Sequence, residues 1–405
     1  MKYLFSKYEV FIVGVLAFLQ FTVILDFMIL SPLGAILMPQ LRIDSTRFGL
    51  VVSAYAFSAG IAGFLTAGFA DRFDRKKLLL FFYIGFVIGT LFCGIAPNYQ
   101  MLLLARIATG LFGGVIGSIV MAITSDLFPL EVRGRVMGFV QTAFAASQVM
   151  GIPFSIFLAN HWGWHFPFIL IAFVGLIVGV FIGYFMRPID EHLKGRINTE
   201  NPFFHIMSTF KKPRHLLGFS TVMLLGMGGF MLMPFSSAFS VHNLGIDLKD
   251  LPTLYMATGV FSIFAGPLVG RASDYFGKFN IYFVGTVLAI IMVLVYTNLS
   301  STPLASLIIV NALMFLGIFS RAIPAQALMS QIPDTKHRGA YMSISASIQQ
   351  ISGGFAAALA GLIVHGAPDG HIEHFNRLGY VLVLTSLISL FLIYQVHRNI
   401  PERRE

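Results

Sequence analysis

An aspartate and two arginines stand inside stretches of sequence otherwise suited to hydrocarbon. Asp26 lies in Ile24-Leu25-Asp26-Phe27-Met28-Ile29-Leu30-Ser31-Pro32, and no other acidic residue is set so deep in an apolar run. A carboxyl group kept from water favours its neutral, protonated form, and a nearby guanidinium favours the charged one. A group moved between those two environments takes up and releases protons, which is the chemistry of proton-coupled exchange. The other reading is an ion pair of Asp26 with Arg106 that ties helices together and never titrates. Arg106 opens Arg106-Ile107-Ala108-Thr109-Gly110. An arginine at that depth costs about 3 kcal/mol on insertion scales and needs a partner or a watery cavity, unless it snorkels to the nearer surface. Arg321 stands about ten residues, roughly 15 Å, from the nearer end of its run. It could meet an anionic group on a substrate, reach Asp26, or bind a carbonyl freed near Pro324.

These three residues need membrane-spanning helices to hold them. The chain has 405 residues, 57% hydrophobic and 11% charged, far below the roughly 25% charge of a soluble domain. Apolar runs of about 20 residues, enough to cross a bilayer, recur from end to end. Twelve spans are expected, at 9–38, 46–70, 78–95, 99–125, 135–160, 163–186, 215–243, 250–270, 279–297, 303–330, 339–365 and 375–397. The segment 187–214 is polar, with six basic residues and three prolines. It reads as a linker with a short surface helix around Pro202–Phe210, between bundles at 1–186 and 215–405. Lys2 and Lys7 precede a long run with no small-residue cleavage site, so the first span reads as retained. Cys93 is the one cysteine, which excludes an intrachain disulfide and a cysteine-only metal cluster.

The net charge of +9 is a topology signal and not a nucleic-acid signal. With both termini on one side, 21 of the 27 lysines and arginines lie on that side, four lie opposite (Arg42, Arg47, Lys249, Arg377) and two lie within spans. This bias places the termini in the cytoplasm. The halves also repeat. Asp71 and Asp274 are 203 residues apart, as are Phe27-Met28 and Phe230-Met231, and Arg133-Gly134 and Arg338-Gly339 are 205 apart. Duplicated bundles with a site between them suit alternating access. The repeat position of Asp26 is Gly229, so one half alone carries the acid.

The loop after span 2 reads Gly68-Phe69-Ala70-Asp71-Arg72-Phe73-Asp74-Arg75-Lys76-Lys77, and its counterpart reads Gly270-Arg271-Ala272-Ser273-Asp274-Tyr275-Phe276-Gly277-Lys278. Here the chain resembles the major facilitator superfamily, whose loop signature is Gly-x-x-x-Asp-Arg/Lys-x-Gly-Arg/Lys-Arg/Lys. The first copy departs at Ala67 and Asp74, the second at Tyr275. The resemblance implies a cytoplasmic latch. Asp71 would sit near the N-terminal end of span 11, where the helix dipole favours a carboxylate. Arg75 would pair with Asp126, with Arg72 beside them and Asp274 and Lys278 as a weaker mirror. It also implies a proton-transfer role for Arg106. Gly151-Ile152-Pro153 in span 5 is similar to the antiport signature of efflux members, and also serves simply to kink and pack the helix. With Leu25-Asp26 and Asp126-Leu127-Phe128-Pro129, the whole chain looks like the bacterial drug and sugar efflux permeases of the proton-antiporter branch.

Met28, Ser31, Gln141, Gln148, Met231, Asn311, Gln349 and Gln350 are candidates to line the site, or equally to pack helices. No His-Glu-x-x-His, Gly-x-Ser-x-Gly or phosphate-cradling loop occurs, which argues against a zinc protease, a serine hydrolase and an ATP-driven pump. His161 and His165 have metal-ligand spacing, but no third ligand accompanies them, and Trp162 and Trp164 suit interfacial anchoring. The expectation is therefore an all-α, twelve-span transporter in a bacterial inner membrane, monomeric, without cofactor or metal. It would handle protons and a small solute, as an exporter of an amphiphilic or drug-like compound. The alternatives are a carrier of an organic anion, sugar, nucleoside or lipid-like metabolite anchored by Arg321, importing or exporting, and a non-transporting receptor on the same fold.

Overall fold

The computed structural model describes residues 4–66, 70–193, 209–210, 212–333, 338–367 and 370–399. The expected surface helix after Pro202 and the loop residue Gly68 lie outside the described residues, as do Lys194, Arg196, Lys211 and Lys336. Twelve helices long and apolar enough to cross a membrane are present among the described residues. They are Lys7–Ile29, Ser45–Thr66, Arg75–Gly94, Tyr99–Leu127, Glu131–Trp162 and His165–Phe185 as spans 1–6, then Pro213–His242, Leu251–Phe276, Lys278–Thr297, Leu304–Met329, Ala340–Ile363 and Phe375–Arg398 as spans 7–12.

Local chemistry sets the helix starts. Ser6 and Glu9 form a reciprocal capping box at span 1. Asp74 caps span 3 through the Lys77 amide at 2.9 Å, and Asn98 caps span 4 through the Met101 amide at 3.0 Å. Asp74 also accepts from the Ile189 amide at 3.1 Å. Its presence where the loop signature has glycine thus fastens the segment after span 6 to the start of span 3.

Three spans are broken where the apolar pattern runs straight through. Span 1 ends at Ile29, turns through Pro32 and resumes as Gly34–Leu41. Span 7 passes into a tight 3-10 turn at Met233–Phe235, around Pro234, before continuing as Ser236–His242. A proline lacks the amide hydrogen and crowds the preceding turn, so carbonyls are freed there. The two breaks meet and satisfy one another. Ser31 Oγ donates to the Met233 carbonyl, and Ser237 Oγ donates to the Ser31 carbonyl at 2.8 Å. In span 5 a wide π turn spans Ser147–Gly151, just before Pro153, so the bend expected at Gly151 and Pro153 is a π bulge. A short antiparallel hairpin, His365–Gly366 with Ile372–Glu373, follows span 11 and has no counterpart in the sequence reading. The Asn243 side chain clamps it through both the amide and the carbonyl of Ile372.

Spans 1–6 and 7–12 join along three seams. Span 2 lies against span 11 over most of its length. The contact is closest at Gly49, where a Cβ would come within 2.8 Å of the Ala357 carbonyl, and at Gly60, within 2.9 Å of the Ser347 carbonyl. Span 5 meets span 8 mainly from the π turn onward. Spans 1 and 7 meet beyond their breaks, where Phe48 also packs edge-on to Phe235. Asn160 reaches the Leu248 carbonyl at 2.9 Å and Thr46 the Gly361 carbonyl at 2.9 Å at this same end. Spans 4 and 10, and the first parts of spans 1 and 7, form no comparable seam. Among the described residues the cross-half contacts therefore gather at the end away from the termini, while spans 2 and 11 stay together toward the other end, where Phe64 packs on Phe210 at 6.3 Å.

Candidate functional site

Asp26 is fully buried in span 1, about two turns below the break at Pro32. Arg106 of span 4 is 1% exposed and donates through Nη1 to Asp26 Oδ2 at 2.8 Å. The same nitrogen reaches the Asp26 carbonyl at 3.3 Å. Thr90 of span 3 donates to the other carboxylate oxygen at 3.1 Å. The Tyr55 ring of span 2 covers the guanidinium at 4.6 Å, a desolvated cation–π contact worth about 2 kcal/mol. One ion pair therefore links four spans. Its burial rules out Arg106 snorkelling to the surface.

This geometry can do two things. Paired, the two charges cancel in a medium where either alone would be costly, and removing one partner is worth about 3–5 kcal/mol of destabilisation. Protonation of Asp26 ends the Coulombic attraction to Arg106, while the Thr90 hydroxyl can reverse from donor to acceptor. The next residue carries that change outward. Phe27 packs on Tyr55 at 5.1 Å and on Phe230 of span 7 at 5.4 Å. Phe27 and Phe230 are the repeat-related phenylalanines, so the duplicated positions touch across the seam beside the charged pair.

Other expected residues are distributed as follows. Met28 and Met231 are buried in the hydrophobic core that spans both halves. Gln148 is buried on the π turn, where the Gly259 backbone of span 8 presses against it. Gln141 and Gln349 are exposed and Gln350 is half-buried. Asn311 spends its amide on the Leu307 carbonyl of its own helix.

Arg321 differs from expectation. It does not reach Asp26, which Arg106 occupies. It is 9% exposed and turned into the second half, with Nη2 donating to Ser389 Oγ of span 12 at 3.0 Å and the Tyr282 ring of span 9 at 6.0 Å.

At the termini end, Arg75 is 5% exposed and donates through Nε to Asp126 Oδ2 at 2.9 Å and through Nη1 to the Ala70 carbonyl at 3.1 Å. Asp71 lies in the short turn Ala70–Arg72, and its side chain is outside what the structure describes. Arg72 is exposed. Asp274 is exposed too, and it forms no ion pair with Lys278 among the described residues.

Thr90 and Tyr55 carry the site as much as Asp26 does, and no motif marks either. A hydroxyl in an otherwise apolar span 3 and an aromatic ring facing a predicted buried arginine were the available signals.

Comparisons with known proteins agree with this geometry. The chain is 26% identical over 372 residues to the MFS-type transporter YceJ of Bacillus subtilis (strain 168), covering 90% of this chain and 93% of that protein. It is 22% identical over 385 residues to multidrug resistance protein 2 of the same organism, covering 94% of each. Among solved structures, a bacterial homologue of the human lysosomal transporter Spinster, inward-facing and unoccupied, superposes with a TM-score of 0.79 at 17% identity over 98% of each chain. The nucleoside transporter NupG superposes with a TM-score of 0.77 at 13% identity, over 95% of this chain and 99% of that one. The family description Major Facilitator Superfamily fits residues 16–358. A twelve-span helical protein with a buried intramembrane ion pair and a seam between repeated halves, matched over this length, belongs to the major facilitator superfamily of membrane transporters.

Proposed function

We propose that this transporter is a proton-coupled exporter of a small, amphiphilic, drug-like solute, working by alternating access. The observation that carries the reading is the contact of the buried Asp26–Arg106 pair with the cross-half seam through Phe27 and Phe230. The likeness to multidrug resistance protein 2 supports the solute class.

In this reading residues 1–186 and 215–405 rock against each other about the linker 187–214. The charge bias puts both termini in the cytoplasm of a bacterial inner membrane. The end where the cross-half contacts gather is then the outer one, and the gap between the halves opens inward. Opening the outer seam exposes Asp26 to water, a proton binds one carboxylate oxygen, and the hold on Arg106 weakens. Return to the inward-open form lets the proton leave, and the ion pair re-forms. Solute enters between spans 1, 4, 5, 7, 10 and 11, and Gln141, Gln349 and Gln350 offer it hydrogen bonds. The Arg75–Asp126 pair, with Asp71 and Arg72, latches the inner side when the halves close there.

Purified protein in a weakly buffered pH dye tests the coupling against a panel of cationic, neutral and anionic amphiphiles. A ligand that binds and releases protons from wild type, and binds without release in Asp26→Asn, supports it. A ligand transported equally by both with no proton signal makes Asp26 structural.

A further inference from the structure

The second half holds a charge that nothing described there balances. Arginine stays protonated in proteins and has five N–H donors. Arg321 uses Nη2 for Ser389, and its Nε is buried with no hydrogen-bond partner. Ser389 has little more to give, since it also contacts the Tyr282 hydroxyl at 2.9 Å and donates to the Ser386 carbonyl at 2.9 Å. No aspartate or glutamate lies within the depth of spans 7–12. The acid placed furthest along any of them is Asp274, exposed in the last turn of span 8. An unbalanced guanidinium in a helix bundle is costly. Arg106 in the first half shows the usual remedy, a carboxylate at 2.8 Å.

Space is left at the place where a counter-charge would go. Gly228 of span 7 faces the guanidinium, and a Cβ added there would meet Arg321 Nη1 at 3.8 Å and no other atom within 4 Å. Half-buried Gly228 thus leaves room beside Arg321 Nη1, with the Ser389 and Tyr282 hydroxyls near the guanidinium and no acid among the described residues there.

We infer that Arg321, with Ser389 and Tyr282 and the space at Gly228, forms a site for a small monovalent anion of halide size, held inside the second half. The site goes beyond the proposed transport reading and stands apart from the gap between the halves. The anion would accept from Nε and Nη1 of Arg321, and its occupancy would neutralise the bundle as Asp26 neutralises Arg106. Chloride and bromide are compact enough to approach Nε and Nη1 beside Gly228, and bulky gluconate serves as the contrast.

Thermal unfolding of the full-length purified protein tests this without any transport assay, so it stands or falls separately from the proton reading. Chloride is exchanged for gluconate at fixed pH and ionic strength. A ligand bound to the folded state alone stabilises it by mass action, so wild type is expected to gain at least about 2 °C in Tm in chloride. Gly228→Ala fills that space while keeping the arginine, and a helical alanine does not endanger folding. The chloride gain is expected to vanish in Gly228→Ala and to shrink in Ser389→Ala. In a bromide-soaked crystal, anomalous scattering is expected within hydrogen-bond reach of Arg321 Nε or Nη1. Equal Tm values for wild type in the two salts overturn the inference. So does an undiminished chloride gain in Gly228→Ala, or ordered bromide elsewhere with none beside Arg321.

Discussion

The two halves repeat in sequence and in helix placement, yet they treat buried charge in opposite ways. In spans 1–6 a carboxylate and a guanidinium meet at 2.8 Å, with a hydroxyl on one oxygen and a ring over the cation. In spans 7–12 a guanidinium stands with a serine and a tyrosine and no acid. The first arrangement is neutral as built and changes charge when one proton moves. The second carries a guanidinium with no carboxylate beside it. Duplication gave two similar scaffolds, and the chemistry that answers to pH lies in one of them. Gly229 at the repeat position of Asp26, and Asn311 at the position 205 residues after Arg106, record the same divergence.

Substitutions that undo either arrangement test this contrast. The largest effect is expected from removing one member of the first pair. Asp26→Ala or Arg106→Leu should lose about 3–5 kcal/mol of stability, read as a fall in Tm of the purified protein. The double variant Asp26→Leu/Arg106→Met should recover most of that loss, since it leaves no unpaired charge. Additive losses would mean that the pair is not coupled. The second half should respond with the opposite sign. Arg321→Met in gluconate is expected to be neutral or to gain about 1–2 kcal/mol, because it removes an uncompensated buried charge. A loss as large as that of Arg106→Leu would erase the contrast between the halves.

Smaller effects should separate the parts of the first site. Tyr55→Leu is expected to cost about 1–2 kcal/mol through the lost ring–cation contact, and Tyr55→Phe much less. Equal losses in both would assign the effect to the hydroxyl instead. Ser31→Ala removes one cross-half hydrogen bond at the end away from the termini, worth about 1 kcal/mol. That is enough to shift the balance between sealed and open outer ends about fivefold. Double electron–electron resonance between labels at the exposed residues Pro39 and Lys249, both at that end, would read the shift.

Much of this was legible in the sequence. Apolar length and the scarcity of charge gave the twelve spans, because helices in hydrocarbon have few alternatives. Asp26 and Arg106 were legible as partners, since each was isolated in an apolar run and buried charges must be balanced. Arg75 and Asp126 meet at 2.9 Å, as the loop resemblance implied. The breaks at Pro32 and Pro234 were hidden because hydropathy does not register a freed carbonyl, and the partners that satisfy them come from the other half. The orientation of Arg321 was hidden for a related reason. Which way a lone cation turns depends on helix rotation, and a serine 68 residues away leaves no local pattern. The hairpin after span 11 depends on Asn243, a residue 129 positions earlier than the backbone it clamps.

The central claim is that Asp26 couples solute movement to protons. Its most direct test is solute accumulation in proteoliposomes under an imposed pH gradient, with wild type and Asp26→Asn side by side. The account predicts uphill accumulation by wild type, collapsed by a protonophore. It predicts that Asp26→Asn still exchanges solute downhill and accumulates none. Uphill accumulation by Asp26→Asn equal to wild type would contradict it and leave the buried pair as a structural tie.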